Sequence, residues 1–207
     1  GNNGESHNHN DCGSFILYQN GIPLLCDFGA GLYDAAYFGP ERYSIFVNRS
    51  ASHNVPLING DEQQFGTAFA AENVKTDFTA HGNQFSCALA ACYACAELHT
   101  LQRTLFHDFD KDSVTLTDAV TFAAPQTITE VFCAHAPFIL TEGCATIQYA
   151  AQSLTLTFDA SLFMASVHET AYIDHHAKPQ TAFMLHLESK FAAMTHLAVI
   201  TFTSEKE

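Results

Sequence analysis

The sequence predicts an all-β fold, a large antiparallel two-sheet β-sandwich, on three observations. Apolar and polar residues alternate with period two along most of the chain. Short polar runs bearing Asp, Asn, Gly or Pro recur between the alternating runs, as tight turns require. The composition is 47 % hydrophobic and only 14 % charged, with 18 Phe, 7 Tyr and no Trp in 207 residues, which suits strands around a substantial core.

The elements follow in chain order. SFILYQ (14–19) and IPLLCD (22–27) flank Asn20-Gly21, a two-residue hairpin turn. Residues 28–46 are rich in Gly and Tyr without alternation and read as a long functional loop. His53-Asn54 precedes an extended segment, and the Ala/Cys run at 87–97 is the one stretch ambiguous between helix and strand. In 99–107, Leu101, Arg103, Leu105 and His107 share a face. In 113–122, Val114 and Leu116 stand opposite Thr115 and Thr117. The series continues through 127–136, 145–150, 153–158, 183–188 and 196–202, with turns expected at 108–112, 123–126, 141–144 and 175–180. No repeat and no Ser/Pro linker interrupts it, so residues 1–207 read as a single domain.

The net charge of −14 argues against a nucleic-acid partner, because phosphate binding needs clustered Lys and Arg. An anionic ligand must therefore meet a local cation. No stretch is long and apolar enough for a spanning helix; 85–98 comes nearest and is too short, so no membrane partner is expected. Seven Cys, mostly among small or apolar neighbours, read as buried free thiols. They favour a reducing compartment, such as the cytoplasm, over a periplasmic or secreted location.

Chemistry concentrates near the start. His7, His9 and Asp11 alternate, and in a strand that spacing puts their side chains on one face, with successive Cα atoms about 6.5–7 Å apart. Two such imidazoles can converge on one ion, or one can hold a metal while its neighbour faces a substrate. A polar tail is the bland alternative. Asp27 stands at a strand end before Gly29 and Gly31, and His53 comes from a third segment. Two His and one carboxylate from three separate elements would leave an open position on zinc. The Asp-rich stretch 107–112 lacks the Gly and distal Glu of a Ca²⁺ loop and reads as a solvated turn, and Cys87, Cys92 and Cys95 lack the second pair of a zinc finger.

Taken together, HNHNDCGSF (7–15), GIPLLCDFG (21–29), the Tyr-rich loop and RSASHNVPLINGDEQ (49–63) resemble the heparinase II/III-like domain of polysaccharide lyases. LQRTLFHDFDKDSVTLTD (101–118) also fits that family's strand bearing Arg followed by a strand ending in Asp. The resemblance implies the C-terminal β-sandwich of a lyase that cleaves uronic-acid polysaccharides, heparan-sulfate-like or alginate-like, by β-elimination. It implies that His9, Asp27 and His53 hold zinc and that the catalytic His7 reaches a cleft shared with an N-terminal α/α-toroid, which this chain does not contain. The isolated domain is then expected to be inactive or nearly so. Arg49 is expected to contact the substrate carboxylate or sulfate, and Arg42 to sit in a surface ion pair. The rivals are a sugar-binding or structural sandwich with a structural metal, and a hydrolase using an open zinc to activate water.

Overall fold

The computed structural model describes residues 2–4, 7–39 and 41–204. Pro40 of the expected loop 28–46 thus lies outside the described residues. Among these residues two antiparallel sheets pack face to face. The larger has eight strands in the order Phe138–Thr141, Cys144–Tyr149, Gln152–Thr157, Ala193–Ser204, Ser113–Gln126, Leu98–Asp108, Gly82–Ala88 and Glu72–Phe78. The smaller runs Phe163–Ile173, Pro179–Ser189, Ile128–Ala134 and Leu57–Ile58. The all-β sandwich expected from the alternation is what forms.

The reason is visible in the burial pattern. Leu116, Val120 and Phe122 on one strand, and Ala198, Ile200 and Phe202 on its neighbour, point inward and are buried. They join Ile128, Phe132, Leu185 and Leu187 of the smaller sheet in one core. The intervening Thr115, Thr117 and Thr121 face out. Each such fully buried aliphatic or aromatic side chain contributes about 1.5–3 kcal/mol.

The smaller sheet is covered on its other face as well. Val131, Cys133, Ala182, Met184, Tyr172 and the sheet's own Leu57 pack there against Cys26, Phe28 and Val47 of the hairpin and loop region. Strand Ile128–Ala134 is therefore buried on both faces, apart from the half-exposed Thr129. The loop forms a third layer, and this layer carries the candidate site.

Several local expectations change. Residues 123–126 are not a turn: the strand Ser113–Gln126 runs through them, and the chain changes sheets at Thr127. Asp118 is mid-strand rather than at a strand end. The ambiguous Ala/Cys run becomes the end of strand Gly82–Ala88 and one 3-10 turn, Ala90–Cys92. Strands Glu72–Phe78 and Phe163–Ile173 carry no clean alternation in sequence. The first is an edge strand exposed along its whole length, so no face had to be apolar. Asn20-Gly21 does close a hairpin, both residues having positive φ (50° and 79°). The turn at 108–112 is solvated, with Asp108 Oδ1 accepting from the backbone of Asp110 and Lys111. His175 and His176 lie exposed in their turn.

Candidate metal centre

Residues 7–11 do not form a strand. Their path is set by side chains from the loop layer instead. Arg42 Nη2 donates to Asn8 O (2.6 Å), and Ser50 Oγ donates to Asn10 O (2.5 Å). Asn10 N donates to Asn48 O (3.1 Å). Gln63 then brackets Cys12, accepting from its N–H (2.9 Å) and donating to its C=O (2.8 Å). Arg42 is thus not in a surface ion pair. It is buried, donates also to Tyr37 O (3.0 Å), and its guanidinium lies 4.7 Å over the Tyr37 ring. The alternate spacing of His9 and Asp11 still matters, because this pinned path turns both side chains the same way.

Asp27 follows the hairpin. Its Oδ1 accepts from Gly29 N (2.6 Å), and Gly29 has φ +69°, a conformation a Cβ would disfavour. His53 follows three successive 3-10 turns, Arg42–Ser44, Phe46–Asn48 and Ser50–Ser52, and is buried. One donor atom from each of His9, Asp11, Asp27 and His53 lies within 4.8 Å of every other. Sequence reading did not place Asp11 among the metal donors; the same two-residue spacing that drew attention to His9 was the available signal.

The electrostatics of this group ask for a cation. His53 Nε2 lies 3.0 Å from Val47 O and donates to it, so neutral His53 presents a lone pair at Nδ1. That Nδ1 is buried and has no hydrogen bond among the described residues; Asp27 Oδ2 is 3.1 Å away but out of line. A lone pair facing a carboxylate is repulsive unless a proton or metal ion stands between them. Without a metal the proton serves: burial opposes it, but Asp27 prevails and raises the His53 pKa above its ordinary value. Burial pushes Asp27 up, yet the neighbouring His53 imidazolium, the Gly29 N–H and His9 together hold it at about 2. Burial and the neighbouring His53 lower His9 to about 4, so it stays neutral and able to ligate. Burial raises Asp11.

The residues fit a metal. Tetrahedral zinc, with bonds of about 2.0–2.2 Å to N and O, holds its donors roughly 3.3–3.6 Å apart. Two imidazoles and two carboxylates offer donor atoms within 4.8 Å of one another, close to that spacing. An ion there would give the orphaned Nδ1 of His53 a partner, and His9 offers one ring nitrogen to the group. With Asp11 counted, four protein donors would fill such a shell, as in a structural rather than a water-activating site.

His7 lies outside this group. It is exposed, with its ring 6.1 Å from Tyr33 and 5.5 Å from Phe38, both also exposed. Arg49 is partly exposed and its fork is engaged by Glu62, through Nε at 3.0 Å and through Nη2. Five of the seven cysteines are buried, and no disulfide forms among the described residues.

A family model described as heparinase II/III-like, C-terminal matches residues 1–201. No curated protein matches. Among solved structures, the heparan sulfate lyase HepC from Pedobacter heparinus superposes with a TM-score of 0.74 at 16 % identity, over 100 % of this chain and 32 % of that one. A heparinase III structure superposes with a TM-score of 0.73 at 18 % identity, over 96 % of this chain and 30 % of that one. The chain thus spans about a third of the length of the solved structures it matches.

Proposed function

This chain belongs to the heparinase II/III-like C-terminal family, and from that premise we propose that it is the β-sandwich domain of a lyase cleaving uronic-acid polysaccharide by β-elimination. The substrate class is heparan-sulfate-like or alginate-like. The net charge of −14 weighs towards the less sulfated end of that range. The remaining part of the active site lies on an N-terminal helical domain of the same polypeptide.

The observation that carries the reading is a division within five residues. His9 and Asp11 turn into the donor cluster, while His7 turns out to an exposed surface with Tyr33 and Phe38. His9, Asp11, Asp27 and His53 would hold zinc, whose charge offsets the two carboxylates and fixes the segment on which His7 stands. His7 is left free to touch substrate. Elimination needs a base for the proton α to the uronate carboxylate and an acid for the departing oxygen at C4. A neutral imidazole serves the first role and an imidazolium the second. None of the described residues engages the His7 ring nitrogens in a hydrogen bond, so either can present itself to a sugar. Tyr33 and Phe38 offer apolar faces beside it. Arg49 supplies a guanidinium for the substrate carboxylate once Glu62 releases one side of its fork.

The test has two parts. The 207-residue chain, given heparan sulfate and alginate oligosaccharides, is expected to bind zinc yet give almost no unsaturated product by ultraviolet absorbance. Robust turnover by this chain alone would overturn the shared-cleft reading. In the longer polypeptide, His7→Ala is expected to abolish cleavage with zinc retained. Cleavage that survives both His7→Ala and loss of zinc would favour a non-catalytic module with a structural metal.

A further inference from the structure

A second cluster is hydrogen-bonded to the segments that carry the donors of the first. Arg103 is fully buried. Its Nε donates to Asp118 Oδ1 (3.0 Å), and its Nη2 donates to Asp118 Oδ2 (2.6 Å) and to Glu130 Oε2 (3.1 Å). These three residues come from strands Leu98–Asp108, Ser113–Gln126 and Ile128–Ala134, so the cluster joins the two sheets across the core. Asp118 and Glu130 orient the guanidinium plane and aim its remaining edge at the loop layer.

There Nη1 donates to Gly13 O (3.0 Å) and to Asn54 O (2.7 Å). Asn54 extends the reach. Its Nδ2 donates to Phe15 O (2.6 Å) and Cys26 O (3.2 Å), and its Oδ1 accepts from Cys133 N (2.7 Å). Gly13 is two residues from Asp11, Cys26 is next to Asp27, and Asn54 is next to His53. One guanidinium and one amide therefore bind the backbone of all three donor-bearing segments. A buried ionic cluster is weak evidence for stability, since well-packed apolar residues do as well in such places. What an apolar replacement cannot do is hold two carbonyls at fixed positions.

We propose that Arg103 is a positioning residue for the metal centre, with Asn54 as its relay, and that this pair sets the affinity and geometry of the zinc site. The proposal rests on the zinc reading above. A lysine keeps the charge but concentrates its donors at one point, so it cannot serve Asp118 on one edge and two carbonyls on the other.

The test uses the whole chain, zinc titrated against a competing chelator, and the visible bands of the cobalt-loaded protein. Arg103→Lys is expected to weaken zinc binding ten- to a hundredfold, the range typical of losing a group that orients ligands, and to shift the cobalt bands. Leu156→Ala opens a cavity in the core without touching the relay and is expected to lower the melting temperature with affinity and bands unchanged. Asn54→Ser removes the three side-chain bonds of the relay, leaves the ionic cluster whole, and carries the same expectation where Arg103→Lys does not fold. Wild-type affinity and bands in either variant, or an equal loss in Leu156→Ala, would overturn the proposal. A wild-type chain that takes up no zinc overturns this proposal and the metal reading together. A zinc-binding wild type beside an equally zinc-binding variant overturns this one alone.

Discussion

The two ionic clusters of this molecule are built on opposite plans. Arg103, Asp118 and Glu130 stand on strands, are wholly buried, and carry their own cation. His9, Asp11, Asp27 and His53 stand on loops, are partly open, and have two carboxylates with no Lys or Arg among them. The first can be complete when the chain folds. Protonating His53 offsets only half the charge of the second; a divalent cation from outside would offset all of it. The difference separates a cluster that fixes positions from one that uses them.

The sharpest way to break this contrast is to remove the internal cation. Arg103→Met leaves Asp118 and Glu130 buried without their partner, and denaturant unfolding is expected to show a loss of about 3–5 kcal/mol. Replacing all three residues by apolar ones of similar size is expected to recover most of that stability but not the zinc affinity. Recovery of both would erase the distinction between the clusters.

Removing a donor from the open cluster comes next. His53→Ala is expected to lower zinc affinity about a hundredfold or more, read by titration, while unfolding without metal changes far less than for Arg103→Met. For the unaltered chain, zinc at a hundred times its Kd is expected to add about 2.7 kcal/mol to the unfolding free energy, and a chelator to remove it. An equal response in His53→Ala would place the ion elsewhere.

Acidity separates the clusters more gently. The folded metal-free chain lowers His9 from 6.5 to about 4, so the unfolded chain takes up its proton first as pH falls. The stability that His9 contributes is complete above pH 6.5 and is lost between there and about 4. His53, raised in the folded state, works in the opposite sense, its contribution being complete below 6.5 and lost as pH rises through its folded value. His9→Gln is therefore expected to flatten the acid-side fall in melting temperature of the metal-free protein; an unchanged fall would exclude His9 as its source. The smallest effect is expected at His7, outside both clusters. His7→Ala should shift unfolding by no more than about 0.5 kcal/mol and leave zinc titration unaltered.

Much of the strand framework was legible before any coordinates. Leu101 and Arg103 could be placed on one face from spacing alone, as could Leu154 and Leu156, because a strand side is decided by a residue's immediate neighbours. The failures lie where neighbours do not decide. Pro125 suggested a turn, yet its strand continues because the residue is exposed near a strand end, where the missing N–H costs little. Arg42 looked like a surface cation, yet Tyr37 and Asn8 offer it two carbonyls in the interior. Asp11 was seen beside His9 but was read through strand geometry that residues 7–11 do not adopt.

By itself the sequence determined the all-β class, the Asn20-Gly21 hairpin and most of the inward-facing residues, because period-two alternation and a positive-φ turn are local properties. The resemblance pointed to His9, Asp27 and His53 as one group with His7 apart; only the tertiary structure decided that Asp11 joins them and that Arg103 ties their segments together. Those facts rest on bonds such as Ser50 to Asn10, Gln63 to Cys12 and Arg103 to Asn54 and Gly13, which span 40, 51, 49 and 90 residues. Such bonds form only once the sheets have packed and brought the loop layer over them.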